Sequence, residues 1–200
     1  MYFSILVLSL LTQVFRGHGQ ECTTLSGIVT LQRSTPLCTV NADDNGLYCQ
    51  GLDLYLDENY ENIYNTPSLV MTDVLQFETA PNTIDMKCVL YTNRTVACWS
   101  SRSQSVNVTW LPRTNPFLIT GITDATSIAV GENHACAILT GGAVKCWGMG
   151  QYGQLGNGLG IDSSTPVDVT GITTGATAVS GGKTHTCVLL SDGQGKCWGF

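Results

Sequence analysis

Four times along the chain, two cysteines stand about ten positions apart. Cys88 to Cys98, Cys136 to Cys146 and Cys187 to Cys197 each read C-x9-C, and Cys38 to Cys49 carries one residue more. The second cysteines advance by 49, 48 and 51 residues. Trp99, Trp147 and Trp198 directly follow three of them, and Pro67, Pro116 and Pro166 trail the first three units at nearly constant distance. The lead-ins match as well, GITDATSIAVGENHAC against GITTGATAVSGGKTHTC. The chain is therefore built on an internal repeat of about 50 residues, a period in the range of propeller blades.

Within one unit, ACAIL and AVKCW are apolar, strand-like segments separated by TGG; the last unit has SDG at that place. A three-residue loop with Gly at its end suits a type I turn closing on a left-handed residue. Folding about Gly141 sets Cys136 opposite Cys146 and Ile138 opposite Val144. Directly opposed partners of the non-hydrogen-bonded kind lie close enough for a disulfide. The expected bonds are Cys38–Cys49, Cys88–Cys98, Cys136–Cys146 and Cys187–Cys197, each worth at most ~3 kcal/mol by loop-closure entropy. Zinc is the competing reading. Structural zinc sites use short C-x2–4-C knuckles, which this chain lacks, and pairs on successive sheets lie too far apart for one tetrahedron.

Composition agrees with short strands. Glycine is abundant at 22 residues, apolar residues make up 43%, and no helix-length apolar period appears after the N-terminus. The net charge is −6 and the nine basic residues are scattered, which excludes a phosphate-binding surface and a nucleic-acid partner. The first stretch, MYFSILVLSLLTQVFRGHGQ, is apolar from Tyr2 to Phe15, a length that suits a signal-peptide core. Residues 1–19 are expected to be a signal peptide cleaved after Gly19, an uncleaved signal anchor being the alternative. No other run is long enough to span a bilayer. Sequons at Asn93 (NRT) and Asn107 (NVT) fit a glycoprotein of the secretory route. The expected location is extracellular or the lumen of that route, and the cysteine usage agrees.

With these residues in view, HACAILTGGAVKCWGMGQYGQLGNG followed by TPVDV resembles the repeat of the regulator of chromosome condensation family. The likeness is greatest to its cysteine-bearing version in secreted repeat proteins, in a propeller superfamily shared with the propeller-type β-lactamase inhibitor. Its signature falls on Trp99, Trp147, Gly148, Gly153, Gln154, Leu155, Gly156 and Trp198. It is strong over 121–200; residues 86–200 carry the clearer repeats and 20–85 are divergent. The family implies an all-β fold, a seven-bladed β-propeller whose blades are four-stranded antiparallel sheets. About four of the seven blades fit in 20–200, so that segment is expected to be the N-terminal part of the repeat domain. The odd Cys22 would find its partner beyond Phe200, and the open arc would expose sheet edges.

Several tempting motifs dissolve into the repeat. GMGQYG, Gly148 to Gly153, matches G-x-G-x-x-G, but GQLGNG follows where a dinucleotide site needs a helix. GGKT, Gly181 to Thr184, lacks the earlier P-loop glycine, since residue 177 is Thr. NADDNG, Asn41 to Gly46, begins like a calcium loop, yet its twelfth position is Leu52; it reads as a solvated hairpin tip. DLYLDENYENIY, Asp53 to Tyr64, is a connecting loop or an interaction loop. His134 and His185 recur two residues before a cysteine, which points to a structural hydrogen bond rather than catalysis.

No catalytic residue, metal site or cofactor is expected, and the chain is read as a non-enzyme. The leading expectation is a secreted propeller acting as a non-catalytic protein-binding module, with a glycan ligand possible. Family resemblance implies the alternatives: guanine-nucleotide exchange on a small GTPase, a secreted lectin, or an enzyme inhibitor.

Overall fold

The computed structural model describes residues 28–31, 37–52, 63–80, 86–100 and 116–200. The expected signal segment 1–19, Cys22, Asn107 and residues 53–62 of the acidic stretch lie outside the described residues. Among the described residues the chain forms strands and turns and no helix.

The strands fall into four antiparallel sheets in chain order. The first holds β1 (Ile28–Leu31), β2 (Leu37–Asn41), β3 (Leu47–Leu52) and β4 (Ile63–Met71). The second holds β5 (Val74–Thr79), β6 (Met86–Tyr91), β7 (Val96–Ser100) and β8 (Phe117–Leu118). The third holds β9 (Ala125–Val130), β10 (His134–Leu139), β11 (Val144–Gly148) and β12 (Ser163–Asp168). The fourth holds β13 (Ala176–Gly181), β14 (His185–Leu190) and β15 (Gly195–Gly199), three strands where the repeat predicts four. The first strands of the second, third and fourth sheets meet, β5 against β9 and β9 against β13, and β2 of the first sheet meets β5, so the sheets stack as propeller blades. Gln76 ties two of these first strands: its amide donates to the Ile128 carbonyl at 2.9 Å and accepts from the Ile128 N–H at 2.9 Å.

Each cysteine pair faces itself across the second and third strands of its blade. The register is Cys38↔Cys49, Cys88↔Cys98, Cys136↔Cys146 and Cys187↔Cys197, with Ile138 opposite Val144. Cα atoms in these pairs are 4.0–4.1 Å apart, the close spacing of a non-hydrogen-bonded pair, and a disulfide joins each.

The hairpin tips share one hydrogen-bond scheme and differ in their left-handed residue. In the last unit Leu190 N–H donates to Gln194 O, and Gly193 (φ +84°) closes the turn as expected. In the third unit Gly141 and Gly142 both take positive φ, +88° and +83°. In the second unit the same position holds Arg94 at φ +69°. A side chain in that region costs about 1–2 kcal/mol, partly offset because glycine loses more freedom on folding. Arg94→Gly is therefore expected to stabilise the fold by up to about 1 kcal/mol, read as a higher urea midpoint with an unchanged slope. The tip also reaches the next blade: Val74, Ala125 and Ala176 donate their N–H groups to the carbonyls of Asn45, Arg94 and Gly142.

Strand alternation explains why Trp follows Cys. Neighbouring residues on a strand point to opposite faces, so a blade that turns its disulfide forward turns its tryptophan back. Cys38, Cys49 and Trp99 share one buried cluster; Cys88, Cys98 and Trp147 share the next; Cys136 and Cys146 share the third, with Trp198 packed against it. Each blade-to-blade interface is thus sealed by the disulfide of one blade and the tryptophan of the following one.

Candidate functional site

The connection from β11 to β12, residues 149–162, is the richest in turn signals. Gly153 and Gly156 donate their N–H groups to Gly150 O and Gly153 O at 2.8 and 3.0 Å, coiling the segment into consecutive turns. Asp162 fastens its base by accepting the Gly150 N–H at 2.8 Å, and the Gln154 side-chain oxygen accepts from Tyr152 N–H at 2.9 Å. This winding drives Leu155 into the core between the third and fourth blades. It also aims the Gln154 carbonyl across that interface.

The Gln154 carbonyl takes two donors from the fourth blade, Thr186 Oγ1 at 3.0 Å and Trp198 Nε1 at 2.8 Å. Thr186 Oγ1 lies in turn 2.7 Å from Nε2 of His134 on β10. A hydroxyl has a single proton, and here it goes to Gln154. His134 must therefore donate from Nε2, which makes it the neutral tautomer with a bare Nδ1. That Nδ1 is buried and has no hydrogen-bond partner among the described residues. Burial above all, and then the charge of His185, lower the imidazole from 6.5 to about 4, while the His185 backbone acts the other way. The arrangement joins blades; it presents no activated nucleophile. Thr186 also sits 3.9 Å from the Cys136 sulfur, which the disulfide already occupies.

The remaining expected residues are dispersed. The four disulfides lie one per blade. Gly148 ends β11 at φ +110°, and Gly153 and Gly156 take φ +81° and +67°. Asn93 is exposed at its hairpin tip, its side-chain oxygen accepting from Thr95 N–H and Oγ1 at 3.1 and 2.7 Å. Asn41 and Asp44 hold a solvated turn by accepting the Asp43 and Gly46 N–H groups. Hydrogen bonds from Tyr48 Oη and Gly46 N–H lower the Asp44 carboxyl below its ordinary range. Among the described residues no group of three or more His, Cys, Asp or Glu could hold a metal ion. His134 and His185 part company: the first is fully buried, the second exposed.

Sequence reasoning passed over Thr186, the hinge of the network. The signal lay in the aligned triplets MKC, HAC and HTC. At the second interface Met86 and Ala135 share an apolar cluster. At the third, His134 and Thr186 stand at the equivalent places and hydrogen-bond. Both partners change together, from apolar to polar.

Two family models described as Regulator of chromosome condensation (RCC1) repeat match residues 125–154 and 142–189. Residues 125–189 carry regulator of chromosome condensation repeats. The matched span runs from β9 into β14 and contains most of the Gln154 clasp, Trp198 lying just beyond it. Similar proteins include the E3 ubiquitin-protein ligase MYCBP2 of Danio rerio, 37% identical over 70 residues, which are 35% of this chain and 2% of that one. The Regulator of chromosome condensation of Mus musculus is 36% identical over 80 residues, 38% of this chain and 19% of that one. Yeast RCC1 (Prp20), solved bound to Kap60, superposes with a TM-score of 0.68 at 21% identity, over 86% of this chain and 42% of that one. The chain thus spans well under two thirds of these relatives, and the structural likeness establishes the propeller fold.

At this interface the glycine-rich signature works as a clasp for the next blade's tryptophan. A β-carbon on residue 156 would lie 2.7 Å from Trp198 Nε1 and 2.9 Å from Val169 Cγ1. Gly156→Ala is expected to cost about 1–3 kcal/mol, since it combines a left-handed residue with a displaced indole. Tryptophan fluorescence should shift to the red as Trp198 loses its carbonyl partner.

Proposed function

We propose that the chain is a secreted, non-catalytic protein-binding module in which the repeat supplies the scaffold and exposed loops supply recognition. One observation carries this reading. His134 Nε2, Thr186 Oγ1, the Gln154 carbonyl and the four disulfides are engaged in joining strands and blades. The clasp loop exposes three large apolar side chains, Tyr152, Leu159 and Ile161, beside the polar Gln151 and Asp162, with the Tyr152 ring 6.4 Å from that of Phe200. Exposed apolar side chains gathered on one loop favour a protein ligand. Four disulfides suit an oxidising compartment, and an exposed sequon at Asn93 suits glycosylation there.

The test is expression of the tagged chain in secreting cells. Glycosylated protein in the medium, with a glycosidase-sensitive shift lost in Asn93→Gln and Asn107→Gln, supports the reading; cytosolic or nuclear retention contradicts it. Cross-linked partners from extracellular fluid should be lost with Leu159→Asp and Ile161→Asp. The likeness to the mouse Regulator of chromosome condensation favours a second reading, nucleotide exchange on a small GTPase. Accelerated nucleotide release from a GTPase by the purified chain would favour that reading instead.

A further inference from the structure

Asparagine followed by glycine occurs twice in the chain, at Asn45–Gly46 and at Asn157–Gly158. In such a pair the glycine nitrogen can attack the asparagine side chain with little hindrance. Glycine carries no β-carbon to obstruct the approach, and its backbone adopts conformations that other residues resist. The two copies stand in opposite surroundings.

The first copy is locked. Gly46 is buried, and its N–H donates to Asp44 Oδ1 at 2.8 Å. Its carbonyl accepts the Asn41 N–H at 2.9 Å, and the Asn45 carbonyl accepts the Val74 N–H at 2.8 Å. A β-carbon on residue 46 would lie 2.7 Å from the Tyr48 ring and 2.8 Å from Leu69. Neither residue can turn without breaking hairpin and blade contacts together.

The second copy is free where the first is held. Gly158 is exposed and takes φ +76°, and its N–H has no hydrogen-bond partner among the described residues. No heavy atom lies within 4 Å of the place a β-carbon would take there or at Gly160, so the backbone has room to turn. The side chain is prepared as well. Asn157 Oδ1 accepts the Leu159 N–H at 3.1 Å, which folds the amide across the Gly158 peptide. A donor on that oxygen polarises Cγ and stabilises the negative charge that gathers there once Cγ is attacked.

We propose that Asn157 is a self-modifying site, converting without an enzyme to aspartate and isoaspartate. The Gly158 nitrogen gives its proton to solvent base and bonds to Asn157 Cγ. The bond from Cγ to the amide nitrogen then breaks, and that nitrogen takes up a proton and leaves as ammonia. Water opens the resulting cyclic imide at either carbonyl, with nothing oxidised or reduced. Opening at the α-carbonyl routes the main chain through the former side chain, which lengthens the backbone by a CH2 group and sets a carboxylate close to Leu159. On the protein-binding reading, that charge falls within the recognition loop and ends its service as an apolar surface. The conversion is measured without any partner, so it stands or falls separately from that reading.

Both pairs can be followed in one sample. The full, oxidised chain is aged in mildly alkaline buffer, and the peptides holding each pair are read for the mass change of an NH2-to-OH exchange and for enzymatic methylation of isoaspartate. Asn157 should convert at least roughly tenfold faster than Asn45, the factor that the charge-assisted hydrogen bond on the Gly46 N–H supplies by itself. In the reduced chain in denaturant, the two should convert at similar rates. The proposal is overturned if Asn157 stays unmodified in the folded chain, or if Asn45 converts there as fast. A preference for Asn157 that persists in denaturant overturns it equally, since the fold would then not be its cause.

Discussion

Replacing Trp147 with alanine should lower the unfolding free energy by about 3–5 kcal/mol, the range for truncating a large buried aromatic. Trp147 is wholly buried. It belongs to the third blade by sequence and to the second by packing, in one cluster with Cys88, Cys98, Ile119, Ile122 and Ile128. Truncation leaves a void at an interface whose neighbours are held by strand pairing and cannot collapse inward. The same change at Trp198 should cost distinctly less, because that ring is only half-buried, although it also forfeits its bond to Gln154 O. Urea titrations of the two variants give the comparison. Equal losses would mean that burial between blades is not what these tryptophans contribute.

The second large effect is acid sensitivity at His134. The folded state holds this imidazole neutral, with its ionisation lowered from 6.5 to about 4. Unfolding releases it to the ordinary value, so the unfolded chain binds the extra proton between those limits. The stabilisation is whole above pH 6.5, falls as the pH drops through that value, and is fully lost near pH 4. A difference of this size corresponds to on the order of 3 kcal/mol. His134→Gln should be less stable than the parent at pH 7.5 and approach or overtake it by pH 4.5. Denaturation of both proteins across that range isolates the histidine, since the carboxylates are common to the two. Parallel curves would show that folding leaves the ionisation of His134 unshifted.

Much of the architecture could be read from spacing alone. The C-x9-C interval, with its turn residues, dictated a register in which cysteine faces cysteine, because a strand offers no other way to bring the two together. The extra residue between Cys38 and Cys49 went into the tip, where Asn45 takes φ +53°, and left the register intact. Other features were hidden for physical reasons. A left-handed conformation is announced by glycine, so Arg94 gave no sign of it. The Gln154 carbonyl is a backbone group whose donors lie 32 and 44 positions away, and no side-chain motif encodes such a contact. His134 and His185 look identical in the repeat; only the neighbouring blade distinguishes a buried imidazole from an exposed one. Gly150 and Gly153 of the nucleotide-like match are turn residues of the loop that sets the Gln154 carbonyl and Gly156 against the Trp198 indole.

The central claim is that disulfide and tryptophan meet across blades rather than within a hairpin. A double-mutant cycle puts it to a direct test, combining Trp147→Phe with removal of Cys88–Cys98 in one cycle and of Cys136–Cys146 in the other. Trp147 should couple by about 0.5–3 kcal/mol to Cys88–Cys98, the disulfide of the preceding blade. It should couple weakly to Cys136–Cys146, although Cys146 is its immediate neighbour in sequence. The reverse pattern would contradict the account.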